Sequence, residues 1–199
     1  MWATAHIRRS FFASIRTTSR CEALHSHMGH FVHSLINMTD FVQQFHMCLT
    51  YFHFREIESD FQSNYGQPVL QTSLRSIERS TTKLFTKEIF FLFRSILKKA
   101  FLLRINECQE MSTGCIFNVS KYCGDGREWR VSFCEEPIDL KCSCLRMESF
   151  GLPCDHNIVM LLYLDFDELP NCLVLSRWSK FTKDLIREKY SSGSVYWDS

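Results

Sequence analysis

Between Thr39 and Gln62 the residues Phe41, Val42, Phe45, Cys48, Leu49 and Phe52 return at steps of three and four, the spacing at which side chains share one side of an α-helix. Thr39-Asp40 precedes the run as a capping signal, so the pattern predicts an amphipathic helix over 39–62. Tyr65-Gly66-Gln67-Pro68 breaks it. A second helix is predicted from about Ser76 to Leu103, with Leu84, Phe85, Ile89, Phe93, Ile96, Leu97 and Ala100 turned inward. Beyond a boundary near Asn106 to Thr113 the period drops to two. Cys115, Phe117 and Val119 alternate with polar residues, Gly124-Asp125-Gly126 marks a turn, and Trp129, Val131 and Phe133 alternate again before Pro137, Ile138, Leu140 and Cys142. This reads as a small antiparallel meander. Ile158 to Leu162 then fits a short helix, Leu169-Pro170 ends it, and Ser176 to Tyr190 gives a last helix. The fold class is α+β: a mainly helical front part, then a β-meander with a helix.

Composition narrows the function more by exclusion than by assignment. Lys+Arg 23 against Asp+Glu 22 leaves a net charge of +1 over 199 residues, which rules out an acidic tail or a uniformly basic coat and makes any charge-based binding local. Hydrophobic content of 45% is enough for a core. The longest apolar run, Ile158 to Leu164, falls far short of the roughly 20 residues that span a bilayer. No membrane partner and no small-molecule substrate are expected.

Ten cysteines without a secretory leader point to reduced thiols and to metal ligation. Cys142-Ser143-Cys144, nine residues, then Cys154-Asp155-His156 reads CxC-x9-CxH. Along a strand, residues i and i+2 point to the same side, so Cys142 and Cys144 can offer both sulfurs to one point. The turn at Phe150-Gly151-Leu152-Pro153 can return Cys154 and His156 to it. Three thiolates and an imidazole form a closed tetrahedron suited to structural Zn2+, with no open position for a catalytic water. The competing reading is a chance cluster in a cysteine-rich chain; an alternating strand before the first pair and an apolar helix after the second favour the metal. The other seven cysteines, Cys21, Cys48, Cys108, Cys115, Cys123, Cys134 and Cys172, are read as small buried hydrophobes or incidental thiols.

The array Cys142-Ser143-Cys144 through Cys154-Asp155-His156 resembles the SWIM zinc finger. With Phe150-Gly151-Leu152-Pro153-Cys154 and Leu175-Ser176-Arg177-Trp178-Ser179-Lys180 it resembles the far-red impaired response family of plant transcription regulators, which descend from Mutator-like transposases. The stretch Arg16 to Leu24 is similar to the segment bearing the last acid of the transposase domain.

The resemblance implies Cys142, Cys144, Cys154 and His156 as zinc ligands and places Glu22 at the third acid of a DDE triad. It also implies a nuclear protein that regulates transcription, in light signalling, through DNA or protein contacts, with related regulators as homo- or hetero-oligomer partners. The alternative is an inactive transposase fragment or a protein-interaction module without direct DNA binding. No Asp or Glu precedes Glu22, whereas a DDE nuclease needs three carboxylates for its two metals, so no enzyme activity is expected. The segments expected on these grounds are 1–105, a helical transposase-like remnant; 114–166, meander and SWIM finger; and 167–199, a helix and tail.

Three further features carry rival readings. His25, His27, His30 and His33 could hold a second metal, but on a helix only His30 and His33 share a side, which is a poor ligand count. Arg177, Lys180, Lys183 and Arg187 step by three, three and four along the last predicted helix. That stripe could neutralise phosphates, with Trp178 stacking beside it; the plainer reading is a solvated face, with Trp178 packed on the finger. Arg8, Arg9, Arg16 and Arg20 in an acid-free leader match an organellar transit peptide superficially. They are read instead as the truncated edge of the transposase-like segment.

Overall fold

The computed structural model describes residues 19–31, 36–112, 114–124 and 126–191. Helices α1 (Ser19–Gly29), α2 (Met38–Tyr65), α3 (Arg75–Leu84) and α4 (Lys87–Ala100) come first. Strands β1 (Leu103–Met111), β2 (Gly114–Lys121), β3 (Glu128–Cys134) and β4 (Asp139–Cys142) follow. The chain then forms α5 (Arg146–Phe150), α6 (Asp155–Tyr163), two 3-10 turns (Asn171–Leu173 and Ser176–Trp178) and α7 (Thr182–Ser191). The α+β class expected from the pattern is the class observed. Helix α2 is capped at Asn37, whose side chain accepts from the Asp40 amide at 2.8 Å, two residues ahead of the expected signal.

The helix expected over 76–103 is two helices. Phe85 and Thr86 between them are extended, because the C-terminal segment takes one backbone group on each side of Phe85: Thr86 N donates to Trp178 O at 3.3 Å, and Leu84 O accepts from Lys180 N at 2.9 Å. Thr81 and Thr82 bend their hydroxyls onto the carbonyls of Glu78 and Arg79, which loosens the end of α3. The apolar period runs through the break because Ile77 on α3 and Ile89, Phe90, Phe93 and Leu97 on α4 join one core.

The expected boundary at Asn106 to Thr113 falls largely on β1, which pairs antiparallel with β2 from Leu103↔Lys121 to Met111↔Gly114. As an exposed edge strand β1 lacks the alternation that betrays a half-buried one. The sheet order is β1-β2-β3-β4, a plain meander. Gly114 sits at φ 152, where an added Cβ would meet Phe133 O at 2.1 Å, so the hairpin can close on β3 only with glycine there. The last helix starts at Thr182, six residues later than the pattern predicts.

Phe117, Val119, Val131 and Leu140 from the sheet, Ile158, Met160 and Leu161 from α6, and Phe90, Phe93, Leu97 and Ala100 from α4 form a single core. Helix α6 is thus sandwiched between the meander and the helical part. No helix among the described residues is long and apolar enough to cross a membrane.

One charged pair lies inside the helical part. Glu78 is 0% exposed and accepts from Arg94 Nε at 2.9 Å, Thr72 N at 2.8 Å and Thr72 Oγ1 at 2.7 Å. Burial alone would raise its pKa; the bonds from Thr72, Gln71 and Arg94 outweigh it and hold the carboxyl below its ordinary 4.5. A group whose folded pKa is depressed contributes stability above its unfolded value and loses it as pH falls through the folded one. The gap in melting temperature between wild type and Glu78→Gln, followed by thermal unfolding, is therefore expected to be widest near neutral pH and to narrow on acidification below about pH 4.5.

Candidate metal centre

Strand β4 ends at Cys142, which pairs with Val131 in the sheet. Leu145, in the left-handed region at φ 54, turns the chain into the single turn of α5, and Gly151 at φ 76 closes that turn with its N–H on Met147 O at 2.8 Å. The chain then reverses so that Cys154 becomes the N-cap of α6 and His156 falls in its first turn. A side chain at 151 would have to adopt a conformation about 1–2 kcal/mol less favourable than glycine's. Gly151→Ala is expected to lower stability by about that much in denaturant titration of the metal-loaded protein.

The four side chains converge. Cys142 Sγ, Cys144 Sγ, Cys154 Sγ and a ring nitrogen of His156 all lie within 4.8 Å of one another. Cys142, Cys154 and His156 are buried and Cys144 is half-buried. The Cys142 Sγ to His156 Nδ1 separation is 3.6 Å; a tetrahedral zinc with ordinary Zn–S and Zn–N bonds requires about 3.6 Å for such a pair and about 3.8 Å between sulfurs. Backbone amides already point at the sulfurs: Cys144 N donates to Cys142 Sγ at 3.5 Å and Asn157 N to Cys154 Sγ at 3.3 Å. The indole of Trp129 stacks on His156 with centroids 4.3 Å apart and fixes the plane of the imidazole.

Electrostatics makes the same demand. Hydrogen bonds from Cys142 and Cys154 drive Cys144 well below the thiol range, while its bond to Cys144 pushes Cys142 up to about 12. Burial, then the two neighbouring thiols, raises Cys154. Three sulfurs this close together, two of them buried, can all be thiolates only around a cation, and a donor set of three sulfurs and one nitrogen is one that suits zinc. Among the described residues no other group of three or more Cys, His, Asp or Glu side chains comes within metal-binding reach. His27 and His30 lie ring to ring at 6.2 Å; His33, Arg8, Arg9 and Arg16 lie outside the described residues, and Arg20 is in the first turn of α1.

The basic stripe is divided. Arg177 lies in a 3-10 turn, Lys180 follows it half-buried in the linker, and only Lys183 and Arg187 are on α7. Lys183 reaches across to Glu56 and Asp60 of α2, and Arg187 lies 3.8 Å from Asp184. Lys180, Lys183 and Arg187 border a polar cleft of about 140 Å³ shared with Asp60 and Asp184. Trp178 donates from Nε1 to Phe150 O at 3.1 Å and rests against the Phe150 ring, so it packs on the finger. Glu22 is exposed on α1. Sequence reasoning missed Trp129 as the support of His156; its place at an inward position of an alternating strand was the available signal.

No protein-family model matches the chain, and no solved structure does. Among curated proteins of Arabidopsis thaliana, Protein FAR1-RELATED SEQUENCE 7 is 29% identical over 179 residues, 90% of this chain and 23% of its own length. Protein FAR1-RELATED SEQUENCE 12 is 28% identical over 90% of this chain and 22% of its own length, and Protein FAR-RED IMPAIRED RESPONSE 1 is 24% identical over 92% and 22%. The chain thus spans less than a quarter of the length of these relatives. A match over 179 of 199 residues leaves out only 20, so its span takes in the four-stranded sheet and positions 142–156.

Proposed function

We propose that the chain is a zinc-organised, non-catalytic module of SWIM type in a nuclear, transposase-derived transcription regulator, working through contacts with DNA or protein. The observation that carries this reading is the meeting of three cysteine sulfurs and one histidine nitrogen within 4.8 Å, with sulfur and nitrogen already at zinc spacing. The similarity to the far-red impaired response proteins supports the regulatory role and the nuclear location. Cys142, Cys144, Cys154 and His156 would hold the ion, and the ion would supply folding energy rather than chemistry, since four protein ligands leave no site for water. Metal analysis of purified protein is expected to find about one zinc per chain, and a fully folded, zinc-free protein would overturn the reading.

A second reading, protein contacts without direct DNA binding, is favoured by one observation: Lys183, central to the basic stripe, is engaged by two carboxylates of α2. Retention on duplex DNA that falls steeply with salt and is lost in Lys180→Gln/Arg187→Gln would decide for DNA. Absence of retention would decide for protein.

A further inference from the structure

Helix α7 is exposed along its described length. Among its described residues Thr182 alone is half-buried, and Leu185 and Ile186, its aliphatic side chains, are 46% and 47% exposed. Apolar packing therefore contributes little to holding α7 on the body. Charge supplies the tie. Glu56 and Asp60, four residues apart and so on one side of α2, both accept from Lys183 Nζ. Among the described residues these are the only side-chain hydrogen bonds from α7 to another helix. All three groups are about half exposed, and an exposed ion pair shifts an equilibrium by about five-fold at most. The tie is weak enough for a polyanion to compete with it.

We propose that Glu56 and Asp60 act as an internal substitute for phosphate, holding the basic stripe closed until the backbone of a nucleic-acid duplex takes Lys183 from them. Lys183 lies between Lys180 and Arg187 along the stripe, and all three border one cleft with Asp60 and Asp184. Phosphate oxygens would give Lys183 what the two carboxylates now give it, an anionic acceptor for its ammonium protons. The acids weaken such a contact twice, by occupying the central cation and by repelling the incoming charge. Each cation freed and set against a phosphate adds about 0.9 to the fall of log affinity with log salt, so the masking has a signature apart from affinity itself. The proposal rests on the DNA arm of the function proposed above and adds its regulation.

The test is fluorescence anisotropy of the full chain, with zinc present, on a labelled duplex DNA of mixed sequence and about 20 base pairs, from about 50 to 200 mM salt. Glu56→Gln/Asp60→Asn should bind at least about five-fold tighter than wild type, with a salt slope steeper by about 0.9. Lys183→Gln added to that variant should abolish the gain, and Lys183→Gln alone should not tighten binding. Glu135→Gln/Glu136→Gln makes the same change of net charge in the turn between β3 and β4 and should gain less than about two-fold. Without DNA, the α7 amides should exchange with solvent faster in Glu56→Gln/Asp60→Asn than in wild type. Binding with no gain over wild type, or a gain that Glu135→Gln/Glu136→Gln matches or that survives Lys183→Gln, would overturn the masking and leave the DNA reading standing. Failure of both wild type and Glu56→Gln/Asp60→Asn to bind would overturn the DNA reading and the masking with it.

Discussion

Serine in place of Cys154 is expected to abolish stoichiometric zinc binding and, with it, the fixed packing of the sheet against α6. Zinc in small Cys/His sites contributes roughly 10–16 kcal/mol at neutral pH, as much as or more than the whole stability of an ordinary domain. A hydroxyl is a poor substitute for a thiolate in that coordination. The change isolates the metal, since serine is itself a strong N-cap and can take over the bond that Cys154 Sγ accepts from Asn157 N at 3.3 Å. Helix α6 therefore keeps its start signal while the ion is lost. Trp129, stacked 4.3 Å from the His156 ring, supplies the readout: its near-ultraviolet dichroism should collapse in the variant and in wild type treated with a chelator. A variant that keeps that signal and unfolds at the wild-type temperature would show that the four side chains meet without needing an ion.

Arg94→Met should be the most damaging single change away from the metal. The guanidinium donates from Nε to Glu78 at 2.9 Å and from a terminal nitrogen to Val69 O at 2.5 Å, and Phe90 and Phe91 lie under its plane at 4.7 and 5.1 Å. Methionine refills the volume but strands Glu78 as a carboxylate with no cation beside it, a loss of about 3–5 kcal/mol. Chemical denaturation at pH 7 measures it. Because the penalty comes from the stranded charge, Arg94→Met/Glu78→Leu is expected to recover much of the loss; equal destabilisation of single and double variants would assign the effect to packing instead.

The convergence of Cys142, Cys144, Cys154 and His156 was legible because its geometry is local. Three cysteines and one histidine within fifteen residues, a strand before and a helix after, leave few ways to fold that do not bring the four side chains together. The meander was legible for a similar reason: Phe117, Val119, Val131 and Leu140 alternate and are all buried. Three features were hidden because they are set by distant parts of the chain. Strand β1 has no alternating signature, since its outer edge and most of its side chains face water. The break between α3 and α4 is imposed by Trp178 and Lys180, about ninety residues further on. The basic stripe assumed a continuous helix from Ser176, but Thr182 Oγ1 takes the Ser179 carbonyl at 2.8 Å and also bonds Ser176 O, and regular helix begins only there. A spacing argument sees neither a competing partner nor a cap supplied from afar.

The segment around Trp178 ties together parts that the chain order keeps apart. Its indole holds the carbonyl of Phe150 in the turn between Cys144 and Cys154, and its own carbonyl holds the amide of Thr86 at the head of α4. The occupancy of the ion can thereby be read at a distance: solvent exchange at the Thr86 and Lys180 amides should quicken when metal is withdrawn, well before the helices themselves come undone.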